Sequence, residues 1–188
     1  MIEKLDIYQL EKFKFYKNQL KREWFFSPDG VHGIAHIQRV LIFVLLLGVE
    51  LKLNDHEIDL LCLCAIYHDI GRSNDYYDEA HGLESYKKIQ AINLPMPKND
   101  EDKNIINFII IYHCIDDDKA IEDLHNYDID NKALALKLYK AFKDCDALDR
   151  VRVDLLDINY LRFEQTKKYI PFAWNIFKNP ENMAALVS

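Results

Sequence analysis

The run Ala65-Ile66-Tyr67-His68-Asp69-Ile70-Gly71-Arg72 sets an imidazole and a carboxylate side by side at the end of an apolar stretch. Both groups bind transition metals, and burying either is costly unless something satisfies it. Alone, the pair has a plain reading, with His68 hydrogen-bonding a carbonyl and Asp69 capping a neighbouring helix. It is not alone. His36, His81, His113 and Asp146 occur elsewhere in the chain, each in or beside an apolar segment. Imidazole plus carboxylate is the donor set of hydrolytic zinc, iron and manganese sites. Helical bundles build such sites by pointing donors inward from several helices.

The elements that must position these groups read as helices. Leu5, Phe13, Tyr16, Leu20 and Trp24 recur at helical spacing and predict an amphipathic first helix, broken at Ser27-Pro28-Asp29-Gly30. His32-Gly33-Ile34-Ala35-His36 opens a second helix that runs to about Leu53. Asn54 and Glu57 have the spacing of a capping box, starting a third helix that Gly71 is expected to stop. A fourth helix is predicted from about Ala80 to Asn93. A fifth, with acids in its first turn where the dipole favours them, reaches His113. Residues 114–130 form a long acidic connection, predicted to be partly helical. A sixth helix, beginning near Ala133, carries Asp146 and reaches Asp149. A final one is predicted from about Gln165 to Phe177. No strand, repeat or low-complexity segment is legible, so an all-α bundle is expected.

The length of 188 residues, 49% of them hydrophobic, predicts a single domain over 1–188 with a sizeable core. The net charge of -7, from 24 basic and 31 acidic residues, argues against a long nucleic acid or an anionic membrane surface as partner. It leaves room for a small anionic substrate, because a metal or a few arginines reverse the field inside a cleft. Cys62, Cys64, Cys114 and Cys145 form no Cys-x-x-Cys pair and are expected to be reduced thiols of a cytoplasmic protein. Residues 1–6 carry acids and lack the apolar core of a signal peptide. The apolar run 40–49 is well short of the ~20 residues a membrane span needs, so it reads as a core helix.

The order of the donors resembles the HD-domain superfamily of metal-dependent phosphohydrolases, over residues 32–152. His36 matches the first histidine of the pattern, His68-Asp69 the doublet that names the family, and Asp146 the last aspartate. The resemblance implies a compact helical bundle of the HD type holding a divalent metal through His36, His68, Asp69 and Asp146. Some members bind two metals and add two histidines, and His81 and His113 stand where those are expected. They are read as second-metal ligands or substrate contacts. Iron, manganese, zinc, nickel and cobalt all accept these donors. The implied reaction is hydrolysis of a phosphomonoester or phosphodiester in a small metabolite or nucleotide, with His68 and Asp69 at the reacting centre. A bound metal lowers the pKa of water and so supplies the nucleophile. Two other classes stay open: an HD-type di-iron oxygenase, and a non-catalytic metal-binding module.

Arg39, Arg72 and Arg150 flank the motif positions, where they either bind phosphate or form surface ion pairs. His32 is close enough in sequence to support the site, whereas His56 and His125 read as loop or helix-start residues. Asp116-Asp117-Asp118 reads as a solvated loop. Asp149 is expected to orient a ligand or hold a neighbouring helix. Arg162, in Tyr160-Leu161-Arg162, resembles a stretch found after the last aspartate in some bacterial HD proteins and is a candidate substrate contact.

Overall fold

In the computed structural model residues 5–187 are described; of the stretch read against a signal peptide, residues 1–4 lie outside them. Helix α1 (Ile7–Lys17) is capped by Asp6, whose carboxylate accepts from the Gln9 backbone N–H while the Gln9 side chain returns the bond. It ends well short of Trp24. Lys21 is extended, and a 3-10 turn (Arg22–Trp24) swings the indole inward to within 5.9 Å of the Tyr67 ring. Burial of Trp24 thus outweighs continuation of the helix.

Helix α2 (Ile34–Glu50) is apolar on nearly every face and lies at the centre, packed by α1, α3 (Asp55–Tyr67) and α7 (Lys132–Leu148). The expected capping box of Asn54 and Glu57 opens α3. Gly71 does not end α3 in a left-handed turn. The helix stops at Tyr67, His68 is its cap, and no glycine has positive φ. A side chain at position 71 would meet the Ser85 backbone nitrogen at 2.0 Å, so glycine is required there by close packing. The Gly71 N–H donates to Ser85 Oγ, and the Ser85 hydroxyl donates to the His68 carbonyl, tying the His-Asp turn to α4 (His81–Ala91).

Helices α4 and α5 (Asp100–Tyr112) pack closely. A Cβ at Gly82 would lie 2.5 Å from the Ile110 carbonyl, so glycine lets the start of α4 press against the end of α5. The acidic connection holds α6 (Asp117–Asp123) and a 3-10 turn, Leu124–Asn126. Helix α7 runs into a 3-10 segment, Asp149–Val153. The single helix expected from about Gln165 to Phe177 is instead two, α8 (Glu164–Lys167) and α9 (Ile170–Lys178), and α10 (Pro180–Leu186) follows beyond it. Pro171 and Pro180 occupy first-turn positions, where proline starts a helix and cannot continue one. No strand occurs among the described residues, and no helix there is long and apolar enough to cross a membrane.

Candidate metal centre

The six candidate donors all stand at or near helix ends. His36 is in the first turn of α2 and His81 opens α4; His68 caps α3 and His113 caps α5; Asp146 is in the last turn of α7. The last carbonyls of a helix have no partner within it. His68 and His113 use that, each donating its Nδ1–H to the carbonyl three residues back, on Ala65 (2.9 Å) and Ile110 (2.7 Å). His36 Nδ1 donates to Asp149 Oδ2 at 2.7 Å, and His81 Nδ1 donates to the Asp78 carbonyl. Each Nδ1 is thereby engaged, which fixes the four rings and leaves Nε2 as the nitrogen that a metal would take.

Those Nε2 atoms converge in two pairs. His36 and His68 approach to 3.2 Å, and His81 and His113 to 2.8 Å. Asp69 lies between the pairs. Its Oδ2 is 3.5 Å from His36 Nε2 and 3.7 Å from His68 Nε2; its Oδ1 is 3.2 Å from His81 Nε2 and 3.7 Å from His113 Nε2. Asp146 Oδ1 completes the first group, 3.4 Å from His36 and 3.8 Å from His68. Two imidazole nitrogens turned toward each other repel unless a proton or a metal ion lies between them. The donor set therefore fits two transition-metal positions that share Asp69.

Over residues 33–151, well over half of the sequence, the chain matches the family model for the HD domain. The chain belongs to the HD-domain family. No curated protein and no solved structure matches it. The match takes in His36, His68, Asp69, His81, His113 and Asp146. HD domains are in general metal-dependent hydrolases, and the all-α architecture agrees with that fold.

The charges around the HD doublet follow from burial and from these pairs. Burial and Arg152 pull the His36 imidazole down, but Asp146, Asp149 and Asp69 more than offset them and push it up to about 9. Burial takes His68 the other way, to about 3. His81 shows the same balance, with burial opposed by Asp69 and raised to about 10, while burial holds its partner His113 down. Burial pushes the Asp69 carboxyl up, yet the surrounding imidazoles, His68 foremost, hold it well below the usual carboxylate range. So one ring of each pair keeps a proton at neutral pH, and a metal ion must expel it. Affinity for a divalent metal is expected to rise about tenfold per pH unit per displaced proton between about pH 6.5 and 9. Competition titrations across that range check this, and a pH-independent affinity would contradict it. Without metal the linkage runs oppositely. Stabilisation from His36 and His81 is complete below 6.5 and is lost as pH rises through about 9 and 10.

The three arginines expected near phosphate fall in different places. Arg39 does not face the cleft. It is buried behind His36, with Nε donating to Asp149 Oδ1 (2.5 Å) and Nη2 to Oδ2 (2.9 Å), and it lies over the Phe177 ring. Arg72 donates to Asp69 Oδ1 at 2.9 Å. Arg150 is exposed and lines the cleft, with no ion-pair or side-chain hydrogen-bond partner among the described residues. The cleft has a volume of about 910 Å³.

Asp117 is not a solvated loop residue. It accepts from Arg162 Nε (2.7 Å) and Nη2 (2.8 Å) and from Lys143 Nζ (2.7 Å), which hold its carboxyl low against burial. Arg162 also reaches Asp144, which is buried and accepts from the Arg162 and Phe163 backbone and from Thr166. This network makes one cleft wall, and Arg162 is bound up in it. His32 is nearer the chemistry than its sequence suggested. It precedes α2, its Nδ1 lies 2.9 Å from Asp69 Oδ2 and 3.0 Å from Arg152 Nη2, and burial pulls its imidazole down. Its nearness to His36 in sequence points to that supporting place, although it stands before α2 and not on the helix.

Proposed function

We propose that this protein is a metal-dependent phosphohydrolase acting on a small phosphorylated metabolite or nucleotide. The observation that carries the reading is the convergence of four Nε2 atoms on the two oxygens of Asp69, at the floor of a cleft that also holds a free arginine. His36, His68, Asp69 and Asp146 would hold one ion, and His81 and His113, with Asp69 beside them, would hold a second. A divalent metal in such a site supplies water activated at neutral pH and polarises a phosphoryl oxygen.

The chain's own groups do the rest. Arg150 points an unpaired guanidinium into the cleft, where a phosphate gains a charge-assisted, bidentate partner. Arg72 donates to Asp69, steadying the carboxylate in its position between the two imidazole pairs. His32 and Arg152 meet at the His32 Nδ1, which lies against Asp69 Oδ2 and helps hold that carboxylate in place. The wall of Phe142, in edge contact with His68 at 5.3 Å, keeps bulk water from the rear of the site. A cleft of about 910 Å³ suits a nucleotide-sized ligand.

The test is a screen of phosphorylated metabolites and nucleotides after chelation and after readdition of single metals. Hydrolysis that chelation abolishes and metal restores supports the reading. Arg150→Ala is expected to raise KM on the order of 10- to 100-fold with a smaller change in kcat, as fits loss of a charged hydrogen bond. The same six donors also form a complete set for two irons. Oxygen uptake by iron-loaded protein that is inert toward every phosphoester would replace this reading with the oxygenase one. Inertness in both assays would leave a metal-binding module.

A further inference from the structure

We propose that Cys114 is a thiolate donor to the metal position formed by His81 and His113, giving that position a softer ligand set than the His36–His68 position. The inference rests on the metal-binding reading above and adds a ligand to it. Cys114 follows His113 directly, just past the end of α5. Its sulfur and one ring nitrogen from each of His81 and His113 lie within 4.8 Å of one another. Both imidazoles are more than nine-tenths buried, with their Nδ1 protons committed to carbonyls and their Nε2 atoms facing each other. Around a tetrahedral zinc two nitrogens stand about 3.3 Å apart, and a nitrogen and a sulfur about 3.6 Å apart. The three groups therefore need only small side-chain movements to share one ion.

Nothing else holds the sulfur firmly. Its contacts are to the Glu79 carbonyl at 3.3 Å and the Ile111 carbonyl at 3.9 Å, and a thiol is a weak donor. Gly82 keeps room for it, since a Cβ there would come within 3.1 Å of the sulfur. The other three cysteines are fully buried in the apolar core and join none of the clustered donor groups. Cys114 alone is partly exposed and lines the cleft. As the sulfur–metal bond forms, the S–H bond breaks and its proton leaves to solvent, with no change of oxidation state. Without the thiolate, the second position has two imidazoles and an Asp69 oxygen that also accepts from Arg72. With it, the position has a donor of its own and should favour zinc, cobalt or iron(II) over manganese.

Cobalt(II) titration of the metal-free full chain tests this by absorbance, independently of activity. The wild type should bind two equivalents, and a thiolate-to-cobalt charge-transfer band in the near ultraviolet should grow with one of them. Cys114→Ser and Cys114→Ala should lose the band and weaken that equivalent at least about tenfold, while the other still binds. Retention of that other equivalent, with unchanged circular dichroism, shows that the variants fold. Two equivalents bound without the band, or a band that survives in Cys114→Ser, would overturn the role of Cys114 and leave the two-metal reading standing. Failure to bind cobalt at all would overturn both.

Discussion

Asp69→Ala is expected to strip both ions from the protein and to lower phosphoester hydrolysis by at least about a hundredfold. Loss of an outer partner of a metal ligand costs 10- to 100-fold, and Asp69 is no outer partner. Its Oδ2 serves the His36–His68 pair and its Oδ1 the His81–His113 pair, so one substitution removes a carboxylate from both. Helix α3 should survive the change, because Asp69 lies beyond its cap. Asp69→Asn separates charge from shape: it keeps the volume, loses the anion, and should bind metal almost as poorly. Elemental analysis beside activity is the measurement. A variant with wild-type metal content would remove Asp69 from the site.

Asp149→Ala should damage stability as well as metal affinity. Asp149 is fully buried and accepts one bond from His36 and two from Arg39. Truncation leaves the Arg39 guanidinium buried without its counter-ion, which costs about 3–5 kcal/mol. Against a typical total of about 5–15 kcal/mol, that moves the urea midpoint far down. It also frees the His36 ring to rotate, and metal affinity should fall about 10- to 100-fold. The double variant Arg39→Met with Asp149→Ala discriminates the two effects. It removes the stranded charge and should recover much of the stability, while the loss of metal affinity remains. A destabilisation below about 1 kcal/mol in the single variant would contradict the buried pair.

The candidate donors that the fold brings together were legible because each lies in a stretch whose apolar spacing marks a helix end. A helix end is where an imidazole finds a spare carbonyl and a route to a cleft. What joins one end to another was not legible. Arg39 looks like a phosphate ligand until Asp149, 110 residues away, is seen to neutralise it. Asp117 looks solvated until Arg162 and Lys143 arrive from later in the chain. Gly71 has a local explanation, the end of a helix, that the close approach of Ser85 displaces. The C-terminal pattern from Gln165 to Phe177 carries an apolar periodicity across Pro171, and the periodicity hid the break. In each case the deciding partner is remote in sequence, and local pattern cannot report its charge or distance.

The match to the HD domain ends at residue 151, but the orientation of His36 does not depend on that stretch alone. His36 is held by Asp149, Asp149 is neutralised by Arg39, and Arg39 lies against the ring of Phe177 on α9, which itself packs on residues 149–153. A fragment cut at the motif boundary would open the back of that guanidinium to water and loosen the first of the four imidazoles. The smallest working unit therefore reaches at least one helix past the recognisable motif. Sequence change in α9 is constrained by the orientation of a candidate metal ligand it never touches.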